Sequence, residues 1–377
     1  MEQTYNIMAL TRLTSANAIP DDSVANVKMA NIVQSKNIII NGDMQIAQRA
    51  TSTASVSSNG YHTLDRWQTN LSTAGGVWTQ SQDTDVPTGQ GFANSIKMDC
   101  TTADSSLAAG DRCIIQQAIE GQNLQYLKKG TSSAQSLTVS FWIKSVKTGT
   151  YILELYDNDN TRQISKSYTV SSASTWEKKT VTFAGDTTGA FGNDNAASLY
   201  LNFWLAAGST YSGGTLNTSW AANTNANRAV GQVNLADSTS NDCWITGIQM
   251  EAGDTASEFE FLPYDVNLAK CQRYYLLVVD GAGSFGTGCS ITTSQFLPIV
   301  DHPVTMRANP TLSYASGSYY AVNQTGGNIT VDTLALNQQN VNQTMFTMSN
   351  ATFTRAGDSG VAFCLTSDAF IGLAAEL

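Results

Sequence analysis

Apolar and polar residues alternate along long stretches of this chain. In "LTVSFWIK", Leu137, Val139, Phe141 and Ile143 alternate with Thr138, Ser140, Trp142 and Lys144, the period of two that marks a half-buried β-strand. "YILELYD" and "SLYLNFWL" repeat the pattern, and "TWEKKTVTF" adds a run rich in Thr and Val. Turn clusters lie between them: "KTGT", "DNDN", "GDTTG" and "AAGSTYSGG". Many short strands at this spacing, with almost no helical period, predict a β-sandwich or jelly roll. Two segments break the pattern. Near the start, "SVANVKMANIVQSKN" places Val24, Val27 and Asn31 at helical intervals behind Pro20 and two aspartates, which reads as an arm that docks its apolar stripe on something else. Further on, "VNLAKCQRYYLL" predicts a short helix directly after "ITGIQMEAGDTASEFEFLPYD", and "YYLLVVDGAGSFGTGCSITTSQFLPIV" then resumes the strand pattern. The expected architecture is all-β. It comprises an N-terminal attachment arm at 1–36, a jelly-roll β-sandwich at 37–263, a helical linker at 264–275 and a second, smaller β-sandwich domain at 276–377.

Composition narrows the chemistry. With 377 residues, core material is not limiting. Charged residues make up 13%, about half the usual share, so Ser, Thr, Asn, Gln and Gly carry the polarity. A net charge of −10 speaks against nucleic acid, whose phosphates need a basic face. The six cysteines show no C-x-x-C spacing and there are two histidines, His62 and His302, so no zinc site is expected and the cysteines are read as buried thiols of a protein made in a cytoplasm. "MEQTYNIMAL" lacks the basic and apolar regions of a secretion signal, and no run is long enough to predict membrane insertion.

Three motifs invite chemistry and resist it. "GAGSFG" at 281–286 fits a dinucleotide fingerprint, with Asp301 further on, but "TGCSITTSQFLP" is too β-branched for the helix that the pyrophosphate requires, so a glycine-rich hairpin is expected. "DNDN" at 157–160 resembles the start of a calcium loop, yet the glycine and distal glutamate are missing and a hairpin tip is expected. No cofactor is therefore predicted, and a structural calcium ion elsewhere in the sandwich stays open. Carboxylates such as Glu251, Glu258 and Glu260 define no catalytic pair by their spacing, and His302 in "DHPVT" reads as a turn residue. No catalytic residues are predicted.

The aromatic residues give a more specific pattern. Trp142, Tyr156, Tyr200 and Trp204 fall on strand positions opposite the apolar ones, so pairing of their strands would create a second aromatic surface. Such a platform, with Asn, Ser and Lys nearby, stacks sugar rings; alternatively, it is covered by loops such as 206–240, by the other sheet or by a neighbouring subunit. Tyr319, Tyr320 and Asn323 are candidate contacts at the tips of the distal domain.

Two stretches carry a resemblance. "NIIINGDMQIAQRATS" at 37–52 with "GYHTLDRW" at 60–67, and "WITGIQMEAGDTASEFEFLPYDVNLAKCQRYY" at 244–275, resemble the two ends of a jelly-roll domain of bacteriophage tail-fibre and related virion proteins. "SLTVSFWIKSVKTGTYILELYD" and "STWEKKTVTFAG" are similar to the middle of that domain, which also resembles carbohydrate-binding modules. "IIINGD" reads as an apolar strand closed by an Asn-Gly turn, and Asp65-Arg66-Trp67 as a charge pair beneath an aromatic lid. The chain departs from the family at Ser257-Glu258, where relatives carry Thr-Pro before Phe-Glu. "FLPIVDHPVTMRANPTLSY" at 296–314 is similar to the small β domain that follows in these proteins. The resemblance implies a homotrimer in the virion, assembled in a bacterial host cytoplasm. It also implies contact with other virion proteins through residues 1–36 and adhesion to a host surface glycan or protein without catalysis. Two alternatives stay open: a structural or decoration protein of the head, collar or tail, and a glycan-degrading tailspike.

Overall fold

The computed structural model describes residues 36–377 except 73–74, 326, 332, 351–352 and 354–355. All but the last residue of the expected arm, with its Val24, Val27 and Asn31, therefore lies outside the described residues. From Ser52 to Ala252 the chain forms a jelly-roll sandwich of two antiparallel sheets. Its strands are β1 (Ser52–Val56), β2 (Gln68–Leu71), β3 (Val77–Asp83), β4 (Ser95–Thr102), β5 (Arg112–Glu120), β6 (Leu137–Ser145), β7 (Gly149–Asp157), β8 (Arg162–Val170), β9 (Glu177–Phe183), β10 (Ala197–Ala207), β11 (Ala221–Ala222) and β12 (Asp242–Ala252). One six-stranded sheet runs β1-β3-β4-β12-β6-β9; the other runs β11-β8-β7-β10-β5-β2.

The alternation read in the sequence builds the space between the sheets. Val139, Phe141 and Ile143 of β6 face Tyr151, Leu153 and Leu155 of β7 and Leu199, Leu201, Phe203 and Leu205 of β10, all fully buried in one cluster. Phe141 sits edge-on to Phe203 at 5.0 Å and to Tyr168 at 5.1 Å, the arrangement that aromatic quadrupoles favour. Each such side chain contributes roughly 1.5–3 kcal/mol through burial.

"NIII" is not the strand expected of it. Ile38 donates one backbone bond to Met250, while the following Asn-Gly turn takes the place of a strand by locking onto β12. Asn41 adopts φ 58°, and its side chain bonds the backbone of Ile46 twice and donates to the Asp65 carbonyl at 3.0 Å. Gly42 lies so close to β12 that a Cβ there would sit 2.0 Å from the Ile248 carbonyl oxygen.

Beyond the sandwich, a helix spans Tyr264–Gln272 and leads into the second β domain. That domain contains β13 (Tyr275–Asp280), β14 (Gly283–Ser290), β15 (Gln295–Asp301), β16 (Thr311–Tyr314), β17 (Tyr320–Gln324), β18 (Gly327–Thr330), β19 (Thr333–Gln339), β20 (Gln343–Ser349), β21 (Ser359–Cys364) and β22 (Phe370–Ala374). A three-stranded sheet, β13-β22-β16, packs on a seven-stranded one, β18-β17-β21-β14-β15-β20-β19, around Phe296, Phe346, Met348 and Ile371. "GAGSFG" is not a hairpin: β13 pairs with β22 and β14 with β21 and β15, so the glycines carry the chain from one sheet to the other. Gly281 takes φ 76° at that crossing. His302 is held by the Val341 carbonyl at 3.0 Å and the Thr344 hydroxyl at 2.9 Å. Five of the six cysteines are buried, but Cys289 is exposed, because it occupies an outward position of β14.

The stretches quoted for the resemblance meet at the seam between the two domains. Arg66, fully buried, lies 3.5 Å from the centre of the Tyr274 ring, pairs with Glu376 and donates to the Ala118 carbonyl. Arg49 stacks 3.7 Å from the Tyr275 ring, and Arg273 grips Glu120 through two bonds of 2.8 Å. Asp65 accepts from the Gln48 backbone and side chain, and its burial pushes its carboxyl up to about 6. Trp67 donates to Asn41 and is buried in the sandwich core. The aromatic lid over Arg66 is thus Tyr274 of the second stretch, not the adjacent tryptophan. Ser257 is tied back to the Glu251 carboxylate by its N–H at 2.8 Å and by its hydroxyl.

Candidate functional site

The candidate aromatic face divides in two. β6 hydrogen-bonds β12 and β9, so partly exposed Trp142 lies on the outside of the first sheet, between Thr246 and Lys178. Tyr156 and Tyr200 lie on the outside of the second sheet, and the sandwich separates them from Trp142. Period-two alternation assigns a face to each strand but not a sheet, and the β6–β7 connection crosses from one sheet to the other.

Tyr156 and Tyr200 are direct cross-strand partners, both partly exposed, with ring centroids 6.3 Å apart. Trp204, two rows along, is fully buried and so cannot be a contact residue. The excursion after β10 folds back over it: a helical turn at Ser209–Ser212 brings Tyr211 to 5.4 Å from its ring, and Ile114, Ile152 and Ala229 complete the cluster.

What fixes this excursion is a buried ion pair that the sequence reading did not identify. Glu154 of β7 is fully buried and receives Arg228 through two bonds of 2.7 and 3.0 Å, the Trp204 indole N–H at 3.0 Å and the Asn202 amide at 3.0 Å. Arg228 in turn covers the rings of Tyr156, Trp204 and Tyr211 at 5.1–5.8 Å. The excursion becomes a wall along one side of the tyrosine pair.

The floor beside this wall is made of carboxamides. Register places Asn202 beside Gln116, and Gln116 beside Gln68. Gln116 accepts from Asn70 at 3.0 Å and donates to Gln68 at 2.6 Å. The Asn202 carbonyl oxygen is buried without a hydrogen-bond partner among the described residues. Aromatic faces next to amide donors and acceptors are suited to pyranose rings, which combine an apolar C–H face with peripheral hydroxyls.

The distal candidates also separate. Tyr320 is buried, its hydroxyl donating to the Ala315 and Phe370 carbonyls at 3.0 and 2.8 Å, and is a core residue rather than a contact. Tyr319 is partly exposed. Asn323 is exposed, donates to Asn328 at 2.6 Å and borders an open groove of about 620 Å³ with Val361, Phe363 and Leu365. Trp142, Tyr156, Tyr200, Tyr319 and Asn323 therefore keep exposed surface, but on separate faces and domains.

No protein-family model matches the chain and no curated protein matches it. Among solved structures, the enzymatically active domain of a tailspike protein from bacteriophage CBA120 is 13% identical, with a TM-score of 0.30, over 57% of this chain and 21% of that one. A carbohydrate-binding module, TmCBM61, crystallised with β-1,4-galactotriose, is 9% identical with a TM-score of 0.30 over 58% of this chain and 99% of the module. The N-terminal cellulose-binding domain of a Cellulomonas fimi β-1,4-glucanase is 12% identical with a TM-score of 0.28, over 55% of this chain and 98% of the domain. The chain thus spans about a fifth of the tailspike structure and nearly all of either module.

Proposed function

We propose that this chain is a non-enzymatic attachment protein of a bacteriophage particle, of the tail-fibre or spike class, that binds a host surface glycan. The observation carrying the glycan reading is the partly exposed Tyr156–Tyr200 pair, set beside a strip of carboxamides in which Gln116 and Asn202 are buried and Asn70 and Gln68 keep exposed surface. Binding, rather than acid–base chemistry, suits the carboxylates nearest this floor. Glu154 and Glu120 each accept two bonds from an arginine, so both carboxylates are already engaged in structural pairs. The virion assignment rests on the resemblance of 37–67 and 244–275, supported by their convergence in one seam. In this reading residues 1–36 join the chain to the particle, and assembly as a homotrimer multiplies weak contacts.

A second reading, a structural or decoration protein, draws on one observation. The seven-stranded sheet presents Val361, Leu365 and Ile299 with 38–40% of their surface exposed, and Asp301 is the one charged residue in its strands. An apolar, nearly neutral face of this kind suits protein contact.

Labelled full-length protein applied to host cells, intact or stripped of surface polysaccharide, separates the readings. Saturable binding that disappears on stripping and falls at least tenfold in Tyr156→Ala/Tyr200→Ala is the expected result; stacking losses of about 1.4 kcal/mol or more correspond to that factor. Absence of binding to a host that the intact particle infects would transfer the assignment to the structural role.

A further inference from the structure

Charge on the glycan floor is unevenly matched. Glu154 is clasped by Arg228 and Glu120 by Arg273. Arg112, at the start of β5, lies on the same outer face and has no carboxylate within 4 Å among the described residues. Its neighbour Asp111 turns the other way, accepting from Ala108 N–H at 2.7 Å and the Ser72 hydroxyl at 3.3 Å. The wall at 208–230 contributes one charged side chain, Arg228, which is already paired.

The Arg112 guanidinium is also held in place. Its Nε donates to Asn70 Oδ1 at 2.8 Å and its Nη1 to the Tyr211 hydroxyl at 2.7 Å. Asn70 then donates to Gln116, which donates to Gln68. A hydrogen-bonded polar track therefore leads from Arg112 along the floor toward Tyr200. The seven residues of β5 from Arg112 to Ala118, the partner of Tyr200, span about 20 Å, a length that an extended oligosaccharide can follow.

Resting on the glycan-binding reading above, we infer that the ligand is an acidic glycan: neutral rings lie over Tyr156 and Tyr200, and a carboxylate or phosphate group pairs with Arg112. A net charge of −10 repels polyanions from the chain at large, so such a ligand needs a local excess of positive charge, and this floor supplies one. A guanidinium fixed by two hydrogen bonds presents its remaining N–H groups with little ordering still to be done, which favours a planar or tetrahedral oxyanion.

The test is a glycan array carrying neutral, uronate-, sialate- and phosphate-bearing members, probed with the labelled full chain and with Arg112→Gln and Tyr156→Ala/Tyr200→Ala. The expected hits are acidic. Their affinity falls about tenfold in Arg112→Gln, a change typical of losing one charge-assisted contact, and the wild-type affinity weakens with salt more steeply than that of the variant. Neutral hits, or acidic hits indifferent to Arg112→Gln in a variant whose thermal unfolding is unchanged, overturn this inference and leave glycan binding intact. Hits that survive Tyr156→Ala/Tyr200→Ala, or no hits at all, overturn the glycan floor itself and this inference with it.

Discussion

Removing Arg228 should do more damage than its place in an irregular excursion suggests. Glu154 has no exposed side-chain surface and the Arg228 side chain retains 16%. In Arg228→Ala the carboxylate stays buried with two neutral donors, from Asn202 and Trp204, and the guanidinium no longer covers three aromatic rings. Breaking a buried pair from one side costs about 3–5 kcal/mol, a large part of the 5–15 kcal/mol that typically holds a domain together. The assay is urea unfolding followed by tryptophan fluorescence, in which Trp204 should report the displaced wall. Glu154→Gln in the Arg228→Ala background removes the stranded charge and should recover at least about 1 kcal/mol, the coupling that a double-mutant cycle isolates. A loss below about 1 kcal/mol in Arg228→Ala, or no recovery in the double variant, would show that the pair is effectively solvated and does not hold the wall.

Further outcomes follow from the seam and the packing. Asp65, with its carboxyl raised from 3.8 to about 6, binds its proton more tightly in the folded state. Its contribution is therefore present below pH 4 and is lost as pH rises through 6, amounting to about 3 kcal/mol at 1.36 kcal/mol per unit. Thermal unfolding should accordingly shift upward as pH is lowered from 7 to 5, and Asp65→Asn should flatten that slope; an equal slope in the variant would assign the effect elsewhere. Glu120 is displaced in the opposite direction: burial raises its carboxyl, but the bonds from Arg273 and Tyr274 outweigh this and lower it. Stability from this group is lost as pH falls below the ordinary glutamate range, so Arg273→Ala should reduce acid sensitivity below pH 4 in the same scan. Gly42→Ala forces a Cβ into the Ile248 carbonyl and should destabilise by at least about 1–3 kcal/mol, as overpacking does; an unchanged urea midpoint would refute the close approach. Cys289 should react alone with a maleimide in the native protein and all six thiols only after unfolding, as intact-mass measurement would read directly.

Alternation made the sandwich legible because a buried sheet leaves its period in every strand: Phe141, Leu153 and Phe203 are core residues in both sequence and structure. Which strands share a sheet leaves no such mark, so alternation alone groups Trp142 with Tyr156 and Tyr200. Trp204 takes the alternative that the sequence leaves open, cover by the 206–240 loop: Tyr211 and Ala229 close over it, both from the Ser-, Asn- and Gly-rich stretch at 208–230. Its one charged residue, Arg228, was the available signal, since a single charge in a neutral excursion has a partner to find. Arg112 and Gln116 were hidden in "RCIIQQAIE", where both faces of β5 are mostly buried and alternation is lost. Tyr320, named as a contact from its place at a tip, is instead a core residue of the distal domain.

The seam has a mechanical consequence. Two arginines lie against tyrosine rings, Gln48 bonds both Tyr275 and Leu277, and the Tyr61 hydroxyl reaches the Leu377 carbonyl. These contacts tie opposite sides of the junction, so a load on the distal domain passes into the sandwich through side chains as well as through the nine-residue helix. A force applied sideways at the far end then acts on a stiff beam, and the torque reaches the proximal end instead of dissipating in a hinge.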